Sequence, residues 1–165
     1  MGENFVNIIE ITTKQEEMLR FDHFSGRDAW DLGSLLVQRA FDRQLDIAIS
    51  IRKLNGHVVF QYTTQNTTLS NQQWMKRKFN TVSLTENSSL RAWATAEHKG
   101  QSFADQGISS ADYAFCGGGF PIRLKSGELV GVLIVSNLPH KLDHGFAVDG
   151  IAQWLGVSGV PVVEA

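Results

Sequence analysis

The spacing of apolar residues predicts two helices in the first quarter of the chain. Helix-forming residues follow Thr12 and Thr13, either of which would cap a first helix that ends near Phe21. Ser25 would cap a longer second helix, from Gly26 to about Arg43, in which apolar residues recur every three or four positions. The apolar stripe of this second helix is broad, which is typical of a helix that lies across a sheet.

Two hairpins are predicted downstream of these helices. Residues 46–53 carry isoleucine at every second position, which predicts a strand with one buried face. Asn55-Gly56 is a strong hairpin signal, so residues 57–63 are predicted to form the returning strand. The second hairpin follows the glycine run Gly117–Gly119, and its second strand, Leu129–Ser136, is the most apolar stretch. Adjacent antiparallel pairs favour an α+β domain, a single antiparallel sheet covered by helices, over a doubly wound parallel fold.

Three further helices complete the predicted elements. Ser70 would cap a third helix, and Asn87 or Ser88 would begin a fourth. The last helix is predicted over residues 141–155, after the break at Leu138-Pro139. Residues 156–165 are small and rich in valine, so we expect an extended tail that docks on a neighbouring molecule.

Composition limits the class of protein. The 165 residues fit one domain, 1–165, with residues 156–165 as its C-terminal tail. The net charge is −2 and no run of five like charges occurs, so neither nucleic acid nor a membrane surface is an expected partner. The sequence starts without the pattern of a secretory signal. Cys116 is the single cysteine, which excludes an internal disulfide and fits a reducing cytoplasm.

Three segments carry a family resemblance. They are Cys116-Gly-Gly-Gly-Phe-Pro-Ile, Gly131-Val-Leu-Ile-Val-Ser and Asp143-His144. Over residues 14–155 the chain resembles the uncharacterised intracellular branch of the haem-degrading, GlcG-like superfamily. The resemblance implies a profilin-like or PAS-like fold and a homo-oligomer. It implies function weakly, because some extracellular relatives bind and slowly degrade haem while others sit beside glycolate metabolism genes.

Two positions depart from the family pattern. Asn137 stands after the strand where the family usually has glycine, and Cys116 stands where relatives often carry histidine. If that histidine has a chemical role in relatives, the role is in doubt for this chain.

Candidate chemistry gathers around the glycine run and the last helix. The amides of Gly117, Gly118 and Gly119 could hold a carboxylate or phosphate, or the glycines could serve only close packing. Asp143 beside His144 could form an acid–base pair, and the same pair could simply pack at a helix end.

Further residues extend this candidate site. His140 and His144 are four residues apart, as metal-ligand pairs on a helix are. Cys116 with His144 could form a nucleophile and its base, with a thiol pKa lowered by nearby amides, or Cys116 could be a small buried residue. Lys78, in a basic cluster beside a tryptophan, could bind an anion, or the cluster could form a solvated helix face or an inter-subunit salt bridge. Arg123, on a strand, could bind the carboxylate of a small acid.

Three functions are compatible with these residues. The first is a small-molecule-binding protein whose ligand, haem or a small anionic metabolite, lies between the helices and the glycine turn. The second is an enzyme that acts on a small organic acid through Asp143-His144, with a divalent metal as an optional cofactor. The third is an oligomeric scaffold without chemistry. We expect a small-molecule ligand and a homo-oligomer as partners.

Overall fold

The computed structural model describes residues 2–165, which form a four-stranded antiparallel sheet with helices on both faces. The helices are α1 Phe5–Met18, α2 Gly26–Asp42, α3 Leu69–Thr85, α4 Ser89–Lys99 and α5 His140–Leu155, and the strands are β1 Ala48–Lys53, β2 Val58–Thr63, β3 Gly119–Arg123 and β4 Leu129–Ser136. The strand order is β2-β1-β4-β3, with every pair antiparallel. The predicted α+β class and single antiparallel sheet are confirmed. Across residues 2–165, no helix is both long and apolar enough to cross a bilayer.

Strand β1 is buried on both faces, which corrects the prediction that it has one buried face. Ile49 and Ile51 point to the main core, where they pack against α2 in a cluster that also contains residues of α5. Ala48 points to the opposite face, where it packs with Met75 and Phe79 of α3. The alternation was correctly recognised, but β1 is a central strand with helices above and below, so its small and polar side chains are buried too.

Two helix starts differ from the predictions. Asn4 caps α1, and Thr12 lies inside that helix, where its hydroxyl donates to the carbonyl one turn earlier. Thr68, and not Ser70, is the N-cap of α3, since its backbone N–H bonds the Asn71 side chain in a capping box. Hydroxyl residues are common both at caps and inside helices, so their identity alone did not place these ends.

The second helix matches its prediction because its start is encoded locally. Ser25 and Asp28 form a reciprocal capping box, in which each side chain accepts from the other residue's backbone N–H. Further along, Gly33 lets α2 approach the sheet so closely that a Cβ atom there would overlap the Phe60 ring. This helix therefore rests directly on β2, and its outer aromatic residues stay at the surface.

The tail packs on its own chain, so its valines do not require the predicted docking on a neighbouring molecule. Residues 156–165 are without regular secondary structure. Val163 is buried in a small cluster with residues of α1 and α4. The Gln15 side-chain amide donates to the Pro161 carbonyl at 2.8 Å. The apolar area that made an exposed tail costly is mostly covered within the monomer, although Val162 is exposed.

Candidate functional site

The glycine run lies where the loop before β3 passes between α3 and α5. A Cβ atom at Gly117 would overlap the His140 carbonyl oxygen. A Cβ atom at Gly118 would overlap the Val135 carbonyl oxygen and lie 2.7 Å from Lys78 Nζ. Gly118 also has a φ of +131°, in the region that favours glycine. The two positions require glycine because backbone and an ammonium group come this close.

The amides of this run are largely committed to protein acceptors. Gly117 donates to His140 Nδ1 at 3.1 Å, and Gly119 donates to Ser89 Oγ at 2.8 Å. An anion would have to displace both bonds to use these N–H groups. The geometry therefore supports close packing, the alternative that was weighed against an anion-binding nest.

A buried ion pair joins α3 to α5 beneath this loop. Lys78 Nζ donates to Asp143 Oδ2 and to the Val135 carbonyl, each at 2.9 Å. Asp143 Oδ1 accepts from the Leu138 amide at 3.0 Å. The two residues are only 2% and 1% exposed. Burial raises the pKa of Asp143 to about 6, although the Lys78 charge and hydrogen bond act to lower it.

Asp143 and His144 do not form the predicted pair. His144 Nε2 lies 2.7 Å from Gln15 Oε1, and the Gln15 amide nitrogen donates to Pro161. This orientation makes Nε2 the protonated nitrogen of His144. Successive helical side chains diverge by about 100°, so Asp143 and His144 face different neighbours. Burial lowers the pKa of His144 to about 3, with His140 a smaller contribution, so the ring is neutral. The geometry therefore does not support Asp143 and His144 as an acid–base pair.

The geometry does not support the predicted metal pair of His140 and His144. The His140 Nδ1 accepts from Gly117, so in the neutral ring Nε2 carries the hydrogen and offers no lone pair. Burial, aided by the charges of Lys141 and Lys78, lowers the His140 pKa and favours that neutral form. Among residues 2–165, no group of three or more His, Cys, Asp or Glu side chains is arranged to hold a metal ion.

Cys116 and Arg123 have separate environments. Burial raises the pKa of the Cys116 thiol, which corrects the predicted lowering and disfavours a thiolate nucleophile. Arg123 donates to the carbonyls of Gly127 at 2.8 Å and Glu86 at 2.7 Å. These bonds hold the Arg123 guanidinium away from the other candidates, so the structure does not bring it to the site.

A pocket of about 590 Å³ opens where β4 ends, among α3, α4 and the start of α5. The indoles of Trp74 and Trp93 line it, together with the buried polar groups of Lys78 and Asp143 and the half-buried His140. Cys116 also borders the pocket. No local pattern in the sequence distinguishes Trp93 as a pocket residue. The pocket brings together Lys78, His140, Asp143 and Cys116 from the predicted residues, and leaves out Arg123 and His144.

Asn137 at the pocket edge explains one departure from the family pattern. Its φ is +100°, a conformation in which glycine is unstrained and other residues cost roughly 1–3 kcal/mol. The Asn137 side chain accepts from Asn71 Nδ2 at 3.2 Å and donates to the Asp46 carbonyl at 3.0 Å. These two bonds offset part of the strain and connect the end of β4 to α3.

The comparisons with known proteins agree with this fold. Residues 24–152 match the family model described as "Haem degrading protein HbpS-like". The chain belongs to this HbpS-like family. A relative from Rhizobium rhizogenes, named "UPF0303 protein", is 39% identical over 142 residues, which cover 86% of this chain and 87% of the relative. The resemblance to the haem-degrading superfamily is confirmed.

Two solved structures place the HbpS-like chain among known folds. "Crystal structure of Ybr137w protein" superposes with a TM-score of 0.83 at 26% identity, over 90% of this chain and 87% of that one. "Crystal Structure of PduOC:Heme Complex" superposes with a TM-score of 0.65 at 19% identity, over 86% of this chain and 99% of that one. The second likeness establishes the shared fold alone.

Proposed function

We propose that this HbpS-like chain is a small-molecule-binding protein whose ligand occupies the pocket among α3, α4 and α5. The observation that carries the proposal is the composition of that pocket: two indoles beside a buried, hydrogen-bonded polar group. Its volume, about 590 Å³, lies within the roughly 300–1,000 Å³ of ligand pockets. Apolar walls with a few fixed polar groups are typical of sites that orient a small organic ligand.

Haem is the ligand that the relatives suggest, through the family description and the heme complex of PduOC. A haem iron in such proteins needs an axial ligand such as a histidine nitrogen. His144 is outside the pocket with Nε2 held by Gln15, and His140 Nε2 carries a hydrogen. Cys116 borders the pocket, but burial favours its neutral thiol. In this conformation the residues do not fit a histidine-ligated haem.

A thermal-shift screen of small organic molecules, followed by titration calorimetry on hits, tests the proposed function. We expect hits whose binding is lost in Trp74→Ala and kept in Leu84→Ala, an exposed residue of the same helix that does not line the pocket. No hit, or hits indifferent to Trp74→Ala, would remove the pocket from consideration. Haemin is included as one probe. A Soret band characteristic of histidine ligation, abolished by His140→Ala, would overturn the fit argument against haem.

We also propose that the chain forms a homo-oligomer through a surface away from the pocket. The alternative function, an oligomeric scaffold, depends on this association. Trp30 is 62% exposed and Phe41 is 51% exposed on α2, and they pack edge-on against Phe60 and Tyr62 of β2. Large exposed apolar side chains on one helix-and-strand surface often mark association surfaces. Light scattering should show an oligomer that dissociates in the Trp30→Ser/Phe41→Ser variant. A monomeric wild-type protein would rule out both the oligomer and the scaffold.

A further inference from the structure

We propose that the ligand carries a carboxylate, which the Lys78 ammonium and the His140 Nε2–H bind at the buried end of the pocket. This inference rests on the proposed function, because it names the chemical class of the molecule that the same pocket would hold.

Lys78 has a hydrogen-bond donor to spare. An ammonium group carries three N–H donors. Two of them bond Val135 and Asp143, and the third has no protein acceptor among residues 2–165. Gly118 allows the Lys78 ammonium to lie directly against the loop, since a Cβ atom at Gly118 would lie 2.7 Å from Nζ. A buried ammonium that lines a pocket and has an unused donor favours a ligand with an oxygen acceptor.

His140 supplies a second donor to the same pocket. Its Nδ1 is occupied by the Gly117 amide, so its Nε2–H is the free donor, and Nε2 has no protein partner among the described residues. The ring also packs edge-on against Trp93, with centroids 4.7 Å apart. These contacts on Nδ1 and the ring face fix the orientation of the donor. Neither Lys78 nor His140 has a free acceptor in these states, because His140 Nδ1 already accepts from Gly117, so the complementary group must be an acceptor.

A carboxylate fits these donors better than a phosphate or an amide. Its two oxygens can accept one bond each, and charge-assisted bonds are roughly twice as strong as neutral ones. The Lys78–Asp143 pair has no net charge, so the second negative charge of a phosphate dianion would be repelled by Asp143 without a cation to balance it. The titratable and charged groups around Asp143 are Lys78 and Arg77 of α3, Cys116 of the glycine loop, His140, Lys141 and His144 of α5, and Glu3 ahead of α1.

Binding should also take up a proton. An anion beside Asp143 disfavours the charged carboxylate, and by linkage a protonated Asp143 favours the anion. Above the free-protein pKa of Asp143, about 6, we therefore expect carboxylate affinity to rise as the pH falls, at most about tenfold per pH unit. Burial lowers the pKa of His140 in the free protein, but a bound anion raises it, so His140 shares this proton uptake with Asp143. His144 lies outside the pocket, and burial raises the pKa of the Cys116 thiol.

Calorimetric titration with acid and amide pairs tests the proposal on the full chain. The probes are acetate, lactate and benzoate, each with its primary amide, together with inorganic phosphate. We expect at least one acid to bind tenfold or more tightly than its amide, and proton uptake in buffers of different ionisation enthalpy at pH 7. His140→Phe keeps a ring against Trp93 and should reduce acid binding about tenfold. Lys78→Met should abolish it if the variant folds.

The outcomes separate this inference from the proposed function. Amides that bind as well as their acids, or phosphate that binds better than every acid, would overturn the carboxylate while leaving the pocket intact. Acid binding that is indifferent to pH and to His140→Phe would overturn it as well. Failure of every acid, every amide and every other screened molecule would overturn both proposals together.

Discussion

Replacement of Lys78 by Met would leave a buried carboxylate without its counter-charge. Methionine replaces the four-atom apolar stem of lysine without its ammonium group, so the packing of α3 on the sheet changes little. The variant loses the Nζ bonds to Asp143 and to the Val135 carbonyl, each 2.9 Å long in the wild type. Asp143 is 1% exposed and retains only its bond from the Leu138 amide.

The expected loss follows from this burial. Removing one partner of a buried ion pair costs about 3–5 kcal/mol, because the other charge stays desolvated. Lys78 holds the Asp143 pKa down against burial, so in Lys78→Met that pKa rises above about 6. A raised carboxyl pKa makes the folded state lose stability as pH rises, by at most about 1.4 kcal/mol per unit. Above pH 6 the wild-type Asp143 is already ionised and its stability no longer falls, whereas the variant continues to lose stability up to its higher pKa. The difference in unfolding free energy between variant and wild type therefore grows above pH 6.

Urea unfolding at pH 5.5 and 7.5 measures this effect. Lys76→Met is the matched control, an exposed lysine on the same helix that should change stability by less than about 0.5 kcal/mol. Adding Asp143→Asn to Lys78→Met should recover part of the loss at pH 7.5. A loss below about 1 kcal/mol, or one equal at the two pH values, would refute the buried-pair reasoning.

Three further changes test other parts of the structure. Gly117→Ala should destabilise the fold by about 1–3 kcal/mol, because its Cβ overlaps a backbone carbonyl. Gly145→Ala, with open space around it inside α5, should stabilise the fold by up to about 1 kcal/mol. Equal effects of the two variants in urea unfolding would contradict the packing argument. In His144→Gln, stability should fall less than in the wild type as pH decreases from 6.5 towards 3, since the wild-type folded state keeps this ring neutral. The same decrease of unfolding free energy with pH in both proteins would contradict a buried neutral His144. Deletion of residues 156–165 should lower the unfolding free energy by about 2–4 kcal/mol without changing the oligomer size in light scattering. A smaller oligomer would show that the tail docks on a neighbouring molecule.

The sheet and most helices could be predicted because their signals are local. Period-two alternation and Asn55-Gly56 define the first hairpin, and Ser25 with Asp28 defines the start of α2 within four residues. The start of α1 was wrong because Thr12 offers the same hydroxyl to a cap or to a carbonyl inside the helix. Burial of both faces of β1 was missed because it depends on its neighbours in the sheet.

Several residues of the candidate site could be predicted from the sequence, but the contacts between them could not. The glycine run and the start of α5 were expected to meet, and they do, through Gly117 and His140. Asp143 was paired with its sequence neighbour, but its partner Lys78 is 65 positions away. No periodicity in one sequence connects positions so far apart, and only the crossing of α3 over β4 brings them together. The tautomer of His140 likewise depends on a contact with a distant loop.

The four tryptophans of the chain allow a direct test of the ligand site by the indole N–H signals in proton–nitrogen NMR spectra. Trp74 and Trp93 line the pocket, whereas Trp30 and Trp154 lie elsewhere. On titration with a carboxylate that binds, we expect the Trp74 and Trp93 signals to shift together while those of Trp30 and Trp154 stay fixed. Shifts confined to Trp30 or Trp154, or no indole shift at saturation, would contradict a ligand site among α3, α4 and α5.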